Sequence, residues 1–151
     1  MNTLPPVPCS GSTLALLVRE IRDAFWTQME RDLAATGHEL TFSQYITLKK
    51  LAEGTAGVTD LARAAQLHPG AMTRLLDKLE ARGIVTRVVD PDDRRALHIH
   101  LTDAGIAIWH DINHCGQNVR ERAMAGMSEA DREQLTRLLT QVRDNLSPTG
   151  S

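Results

Sequence analysis

Residues 59–102 read TDLARAAQLHPGAMTRLLDKLEARGIVTRVVDPDDRRALHIHLT, and three structural signals follow one another there in a fixed order. The pattern predicts a short helix over residues 60–65 and a turn at Gln66, Leu67 and His68. A second helix opens at Pro69 and closes at Gly83, with proline at the first helical position and glycine just past the last. Two β-branched runs, 84–89 and 97–101, then flank Asp90, Pro91, Asp92, Asp93, Arg94 and Arg95. That order specifies a helix-turn-helix followed by a two-stranded hairpin, or wing.

The second helix separates into two faces. Met72, Leu75, Leu76 and Leu79 recur at three- and four-residue steps and form the stripe to be buried. Gly70, Thr73, Arg74, Asp77 and Lys78 fall mostly away from it. A short residue at 70 and a Thr–Arg pair in the early turns suit a helix whose first turn approaches a groove edge. Taken alone, the helix fits a solvated helical hairpin equally well. The wing decides between them, because two arginines at a hairpin tip have little structural use there and an obvious electrostatic one.

This stretch resembles the DNA-binding segment of the MarR family of bacterial transcriptional regulators. The resemblance rests on Thr73–Arg74, Leu79–Glu80 and Gly83–Ile84 in the helix, and on 90–95 in the wing. Leu101–Thr102 and Gly105 lead out of it. It extends over about residues 14–146 and is strongest at 59–105. It implies a mainly α (α+β) fold, with a winged helix-turn-helix lobe and N- and C-terminal helices forming an intertwined homodimer base. It also implies a repressor, less often an activator, released from its operator by a small molecule or an oxidant.

Working outward, the apolar residues Leu14, Leu17, Val18, Ile21, Phe25, Met29 and Leu33 predict a long first helix. Thr41 and Gln44 have capping-box spacing for a second. Val58 is placed as a short third strand and Thr59 as the N-cap of the next helix. Thr102 is expected to cap a helix to about Ala125 striped by Ile108, Trp109, Ile112, Cys115, Val119 and Ala123. A last helix carries Leu135, Leu138, Leu139, Val142 and Leu146. The expected division is a flexible arm over 1–12, a helical dimerisation region over 13–36 and 103–146, a DNA-binding lobe over 37–102, and a tail over 147–151.

The 151 residues suffice for one domain, and with 42% hydrophobic but only 3% aromatic content the core must be aliphatic. No run of 18 apolar residues suggests a membrane span, and the N-terminus lacks the features of a signal peptide. With two cysteines, a reducing cytoplasm is the expected setting. The formal net charge of −2 runs against a strongly basic nucleic-acid binder, and residues 60–100 hold seven Lys/Arg against six Asp/Glu. A DNA-binding face therefore requires Arg74, Arg94 and Arg95 to cluster with the carboxylates turned away.

A twofold pair of such lobes would read a pseudo-palindromic duplex with half-sites roughly 34 Å apart. Candidate contacts are His68, Pro69, Gly70, Thr73, Arg74, Asp93, Arg94 and Arg95. Arg74 is placed at a phosphate or a guanine edge, Arg94 in the flanking minor groove, and Arg95 beside Asp93 as a wing brace or a phosphate contact.

Candidate liners of an effector pocket between lobe and base are Arg19, Arg22, Trp26, His38, Tyr45 and Trp109, a set suited to an aromatic carboxylate. Trp26 and Trp109 also read as core or dimer packing, and Arg19 and Arg22 as surface ion pairs. Two other sensing chemistries stay open. Cys9 and Cys115 provide a redox pair, although Cys115 sits on an apolar stripe. His110 and His114, at i and i+4, together with His38 and Glu39, provide a zinc set. No cofactor is required. No phosphate loop, nucleophile elbow or HExxH motif supports an enzyme, and the rival class is a winged-helix protein-interaction module.

Overall fold

The structure, a computed structural model, describes residues 12–93 and 97–148. Among these the order is α1 (Ser12–Ala35), α2 (Phe42–Glu53), α3 (Val58–Ala65), α4 (Pro69–Ala81), β1 (Val85–Val89), β2 (Leu97–Leu101), α5 (Asp103–Ala123) and α6 (Glu129–Leu146). The strands pair antiparallel from Val85 opposite Leu101 to Val89 opposite Leu97. The expected mainly helical fold with a two-stranded wing is what the chain forms.

Local chemistry sets most of the boundaries. Thr41 and Gln44 form the reciprocal capping box that opens α2. Pro69 is the first residue of α4, after His68 at the N-cap. At its far end the chain turns through Gly83, with φ +73°, while Ile84 N–H reaches back to the Leu79 carbonyl at 3.0 Å. Between α3 and α4 the turn passes through Gln66 in the left-handed region, φ 54°, and its neighbour Leu67 bonds the Ala62 carbonyl at 2.9 Å. This is the turn that angles α4 across α3.

The structure corrects three sequence-based assignments. Val58 is not a strand and Thr59 is not a cap: α3 begins at Val58 with Gly57 as N-cap, because Leu61 N–H closes the first turn on the Gly57 carbonyl. The third strand shrinks to a bridge two residues earlier, where Ile99 N–H donates to the Ala56 carbonyl at 2.8 Å. The helix expected to run to about Ala125 ends at Ala123, and the chain turns through Gly126 at φ +81°.

One aliphatic core joins the elements. Leu48, Leu61, Met72, Leu76, Leu79, Ile84, Val85 and Ile99 fill the lobe, and Met29, Leu33, Ile112, Cys115 and Val119 continue it along the α1–α5 seam. Burying each leucine, isoleucine or methionine contributes roughly 1.5–3 kcal/mol. That sum fixes the rotation of α4, whose Met72, Leu76 and Leu79 are fully buried. At the exit from the wing, the Thr102 side chain accepts from Gly105 N–H at 3.0 Å, starting α5 beside the Ile84 carbonyl.

Two helical faces have no cover among the described residues. On α1, Leu14, Leu16, Leu17, Val18 and Ile21 are exposed. On α6, which buries no residue, Leu135, Leu138, Leu139 and Leu146 are exposed. No helix among the described residues is long and apolar enough to cross a membrane.

Candidate nucleic-acid interface and effector groove

With Met72, Leu76 and Leu79 turned inward, His68, Pro69, Gly70, Thr73, Arg74, Asp77 and Lys78 all lie on the exposed side of α4. Thr73 Oγ1 donates to the Pro69 carbonyl at 3.0 Å. Arg74 makes no ion pair or hydrogen bond among the described residues, and no Cβ clash would arise at Gly70, which stands in open space. An unpaired guanidinium on the outer face of a helix that follows a left-handed turn can reach a phosphate or a base edge.

Asp77 and Glu80 do not compete for Arg74. Both carboxylates are taken by Arg87 of β1, at 2.7 Å to Asp77 Oδ1 and 3.0 Å to Glu80 Oε1. The hydrogen bond to Asp77, with smaller contributions from Glu80, pushes the Arg87 guanidinium above its ordinary value. Sequence reasoning passed over Arg87. The available signal was its place two residues after Val85, on the inward side of β1 opposite Ile99.

The wing turn is built on Asp90, which accepts from Asp92 N–H at 2.9 Å and pairs with His98 Nε2 at 3.1 Å. The backbone bond first, then His98, holds the Asp90 carboxyl below its usual range. Asp93 is exposed, and Arg94 and Arg95 lie outside the described residues, as does Cys9.

A second feature is aromatic. Trp26 of α1 meets Phe42 edge-on at 5.1 Å and Tyr45 at 5.6 Å, and Tyr45 stacks on Trp109 of α5 at 6.3 Å. Beside them Val18, Ile21, Arg22, Phe25, Trp26, Met29, Phe42 and Tyr45 line a groove of about 300 Å³. Burial pushes the Tyr45 hydroxyl above its ordinary value, against a smaller opposing pull from Arg120. Arg22 at the rim pairs with Asp23 at 3.0 Å, with both side chains mostly exposed. Such a pair contributes roughly 0–1 kcal/mol, so an incoming carboxylate can replace Asp23 at little cost.

Three expected liners stand elsewhere. His38 points to α5 and bonds Asp111 Oδ2 at 2.9 Å, because the turn after α1 lies against that helix. Trp109 is on the far side of Tyr45, and Arg19 is exposed outside the groove. The zinc set does not assemble: His110 and His114 are exposed on α5, His38 is engaged by Asp111, and Glu39 is exposed. Among the described residues no three His, Cys, Asp or Glu side chains come close enough to hold a metal. Cys115 is free but buried among apolar neighbours, and burial, helped by Asp32 and Asp111, pushes its thiol up. It therefore lacks the thiolate character of a reactive cysteine.

The MarR family model matches residues 40–97, the span from the start of α2 to the second strand of the wing. Over that span the chain is similar to the MarR family. MarR proteins are transcription regulators and not enzymes. Among MarR-type relatives, the transcriptional repressor NicR of Pseudomonas putida is 27% identical over 108 residues, 71% of this chain and 68% of NicR. Two solved structures share the MarR fold. A point mutant of MarR from E. coli complexed with operator DNA superposes with a TM-score of 0.73 at 23% identity, covering 86% of this chain and 93% of that one. BpsR of Bordetella bronchiseptica, whose DNA binding is regulated by 6-hydroxynicotinic acid, gives 0.75 at 21% identity, over 93% and 99%.

Proposed function

We infer that this chain is a DNA-binding transcriptional regulator of the MarR type that acts as a repressor, working as a homodimer on a pseudo-palindromic operator. The observation that carries the reading is the outer face of α4, where Thr73 and Arg74, unpaired among the described residues, stand beside a wing on a helix locked by three buried side chains. The DNA contacts assigned are His68, Pro69, Gly70, Thr73 and Arg74 from α4 and its cap, and Asp93, Arg94 and Arg95 from the wing. The NicR relative is a repressor, and a structural neighbour is held on operator DNA, which supports the same use of this surface.

The groove beside Trp26 is the effector site in this reading. Its apolar and aromatic walls would take a planar ring, and Arg22, freed from Asp23, would take a carboxylate on that ring. The class of ligand is thus a small aromatic acid, in keeping with the 6-hydroxynicotinic acid that acts on BpsR. Such a ligand loosens the operator complex only if it binds more tightly to a lobe spacing that mismatches the duplex.

The test begins with selection of bound duplex from a random pool. Arg74→Ala is then titrated against the selected site, with an expected loss of roughly 1–3 kcal/mol. Quenching of Trp26 fluorescence by a panel of hydroxylated aromatic acids, lost in Arg22→Ala, checks the groove. Absence of any duplex preference in the wild-type protein would refute the regulator reading.

A further inference from the structure

Within α4 the cations Arg74 and Lys78 are matched by two carboxylates, Asp77 and Glu80, so the helix that faces DNA carries no net charge of its own. Asp77 lies three residues after Arg74 and four after Thr73, on the same exposed side. Left bare, it would stand against the phosphate backbone. The Arg87 guanidinium fits between Asp77 and Glu80, with one Nη on each. Its stem rises from an inward position of β1, opposite the fully buried Ile99 and two residues from the buried Val85.

An aliphatic residue at that strand position would extend the core, whereas exposed ion pairs of this kind add little to stability. Arginine at 87 therefore has an electrostatic use. We propose that Arg87 is a positioning residue for DNA binding: it masks the two carboxylates of the recognition helix and ties that helix to the base of the wing, so that Arg74 and the wing meet the duplex as one positively biased surface. The proposal rests on the regulator reading above. It adds a residue that reaches DNA only through the groups it neutralises.

The experiment uses full-length protein and the duplex selected by the wild type, followed by fluorescence anisotropy across a range of salt. Arg87→Gln is expected to weaken binding about tenfold or more near physiological salt, and to flatten the slope of log K against log salt by about one. In Arg87→Gln/Asp77→Asn/Glu80→Gln, affinity is expected to return to within about threefold of wild type, since the carboxylates to be masked are gone. Asp77→Asn/Glu80→Gln alone, with Arg87 retained, is expected to bind at least as tightly as wild type with a steeper slope.

Wild-type affinity in Arg87→Gln overturns the proposal, as does a triple variant that stays as weak as Arg87→Gln. Should Arg87→Gln fail to fold by circular dichroism, the carboxylate double variant decides: weaker binding there counts against masking. A wild-type protein that prefers no duplex sinks the regulator reading instead, so the two failures are distinguishable.

Discussion

Gly105 lies in the first turn of α5 with the Ile84 carbonyl directly against it, and a Cβ built there would come within 2.1 Å of that oxygen. The obstacle is backbone, held by Thr102 N–H donating to the same carbonyl at 3.0 Å, so a side chain cannot swing away to relieve it. Gly105→Ala is expected to cost about 1–3 kcal/mol or more, as overpacking does. In a chain of this length each kcal/mol lowers the melting temperature by roughly 2–4 °C, which a thermal scan reads directly. Cys115 gives the complementary expectation of silence. With its thiol buried and pushed up, peptide mapping after mild peroxide should find position 115 unmodified in the folded protein and modified once denaturant opens it. Recovery of a sulfenic acid or a disulfide at 115 under native conditions would contradict that.

At the scale of elements, the wing turn is the part whose stability depends on charge. The Asp90 carboxyl is held below its usual range by Asp92 N–H and then by His98. A depressed folded value means the contribution is fully present above the unfolded carboxylate pKa, near 3.9, and is lost as pH falls through the folded value. Asp90→Asn should therefore be less stable than the parent at neutral pH, with the gap closing in acid. Urea unfolding at pH 7 and pH 3 checks it, and a gap that widens in acid would reverse the assignment. The elements themselves were largely legible because their signals are local: Pro69 and Gly83 bracket α4, and Thr41 with Gln44 opens α2. What escaped was tertiary. Nothing in the order Val85–Thr86–Arg87 states that Arg87 will reach across to Asp77 and Glu80. Likewise His38, three residues past a helix end, gave no sign that Asp111, distant in sequence, would claim it. The same limit explains Val58, whose β-branched side chain favours a strand until Leu61 bonds the Gly57 carbonyl and draws it into α3.

For the molecule as a whole, the unresolved demand is cover for the outer helices. α6 places Leu135, Leu138 and Leu139 on exposed positions with Leu146 beyond them at 80% exposure, and the first half of α1 adds Leu14, Leu16, Leu17, Val18 and Ile21. Two long apolar stripes are costly to leave in water, and faces of this kind mark protein interfaces. The occupant consistent with a twofold operator is a second copy, which also brings two α4 helices to one duplex. Replacing both Leu138 and Leu139 with glutamate puts two charges into that face while leaving the lobe core, from Leu48 to Ile99, untouched. The variant should run as a monomer in light scattering at micromolar concentration and keep its helical circular dichroism. Its affinity for the selected duplex should fall by roughly 100-fold or more, because each lobe then binds a half-site without the other at high effective concentration. Retention of the wild-type mass and affinity would mean that α6 does not join the subunits, and that the apolar stripe serves another contact.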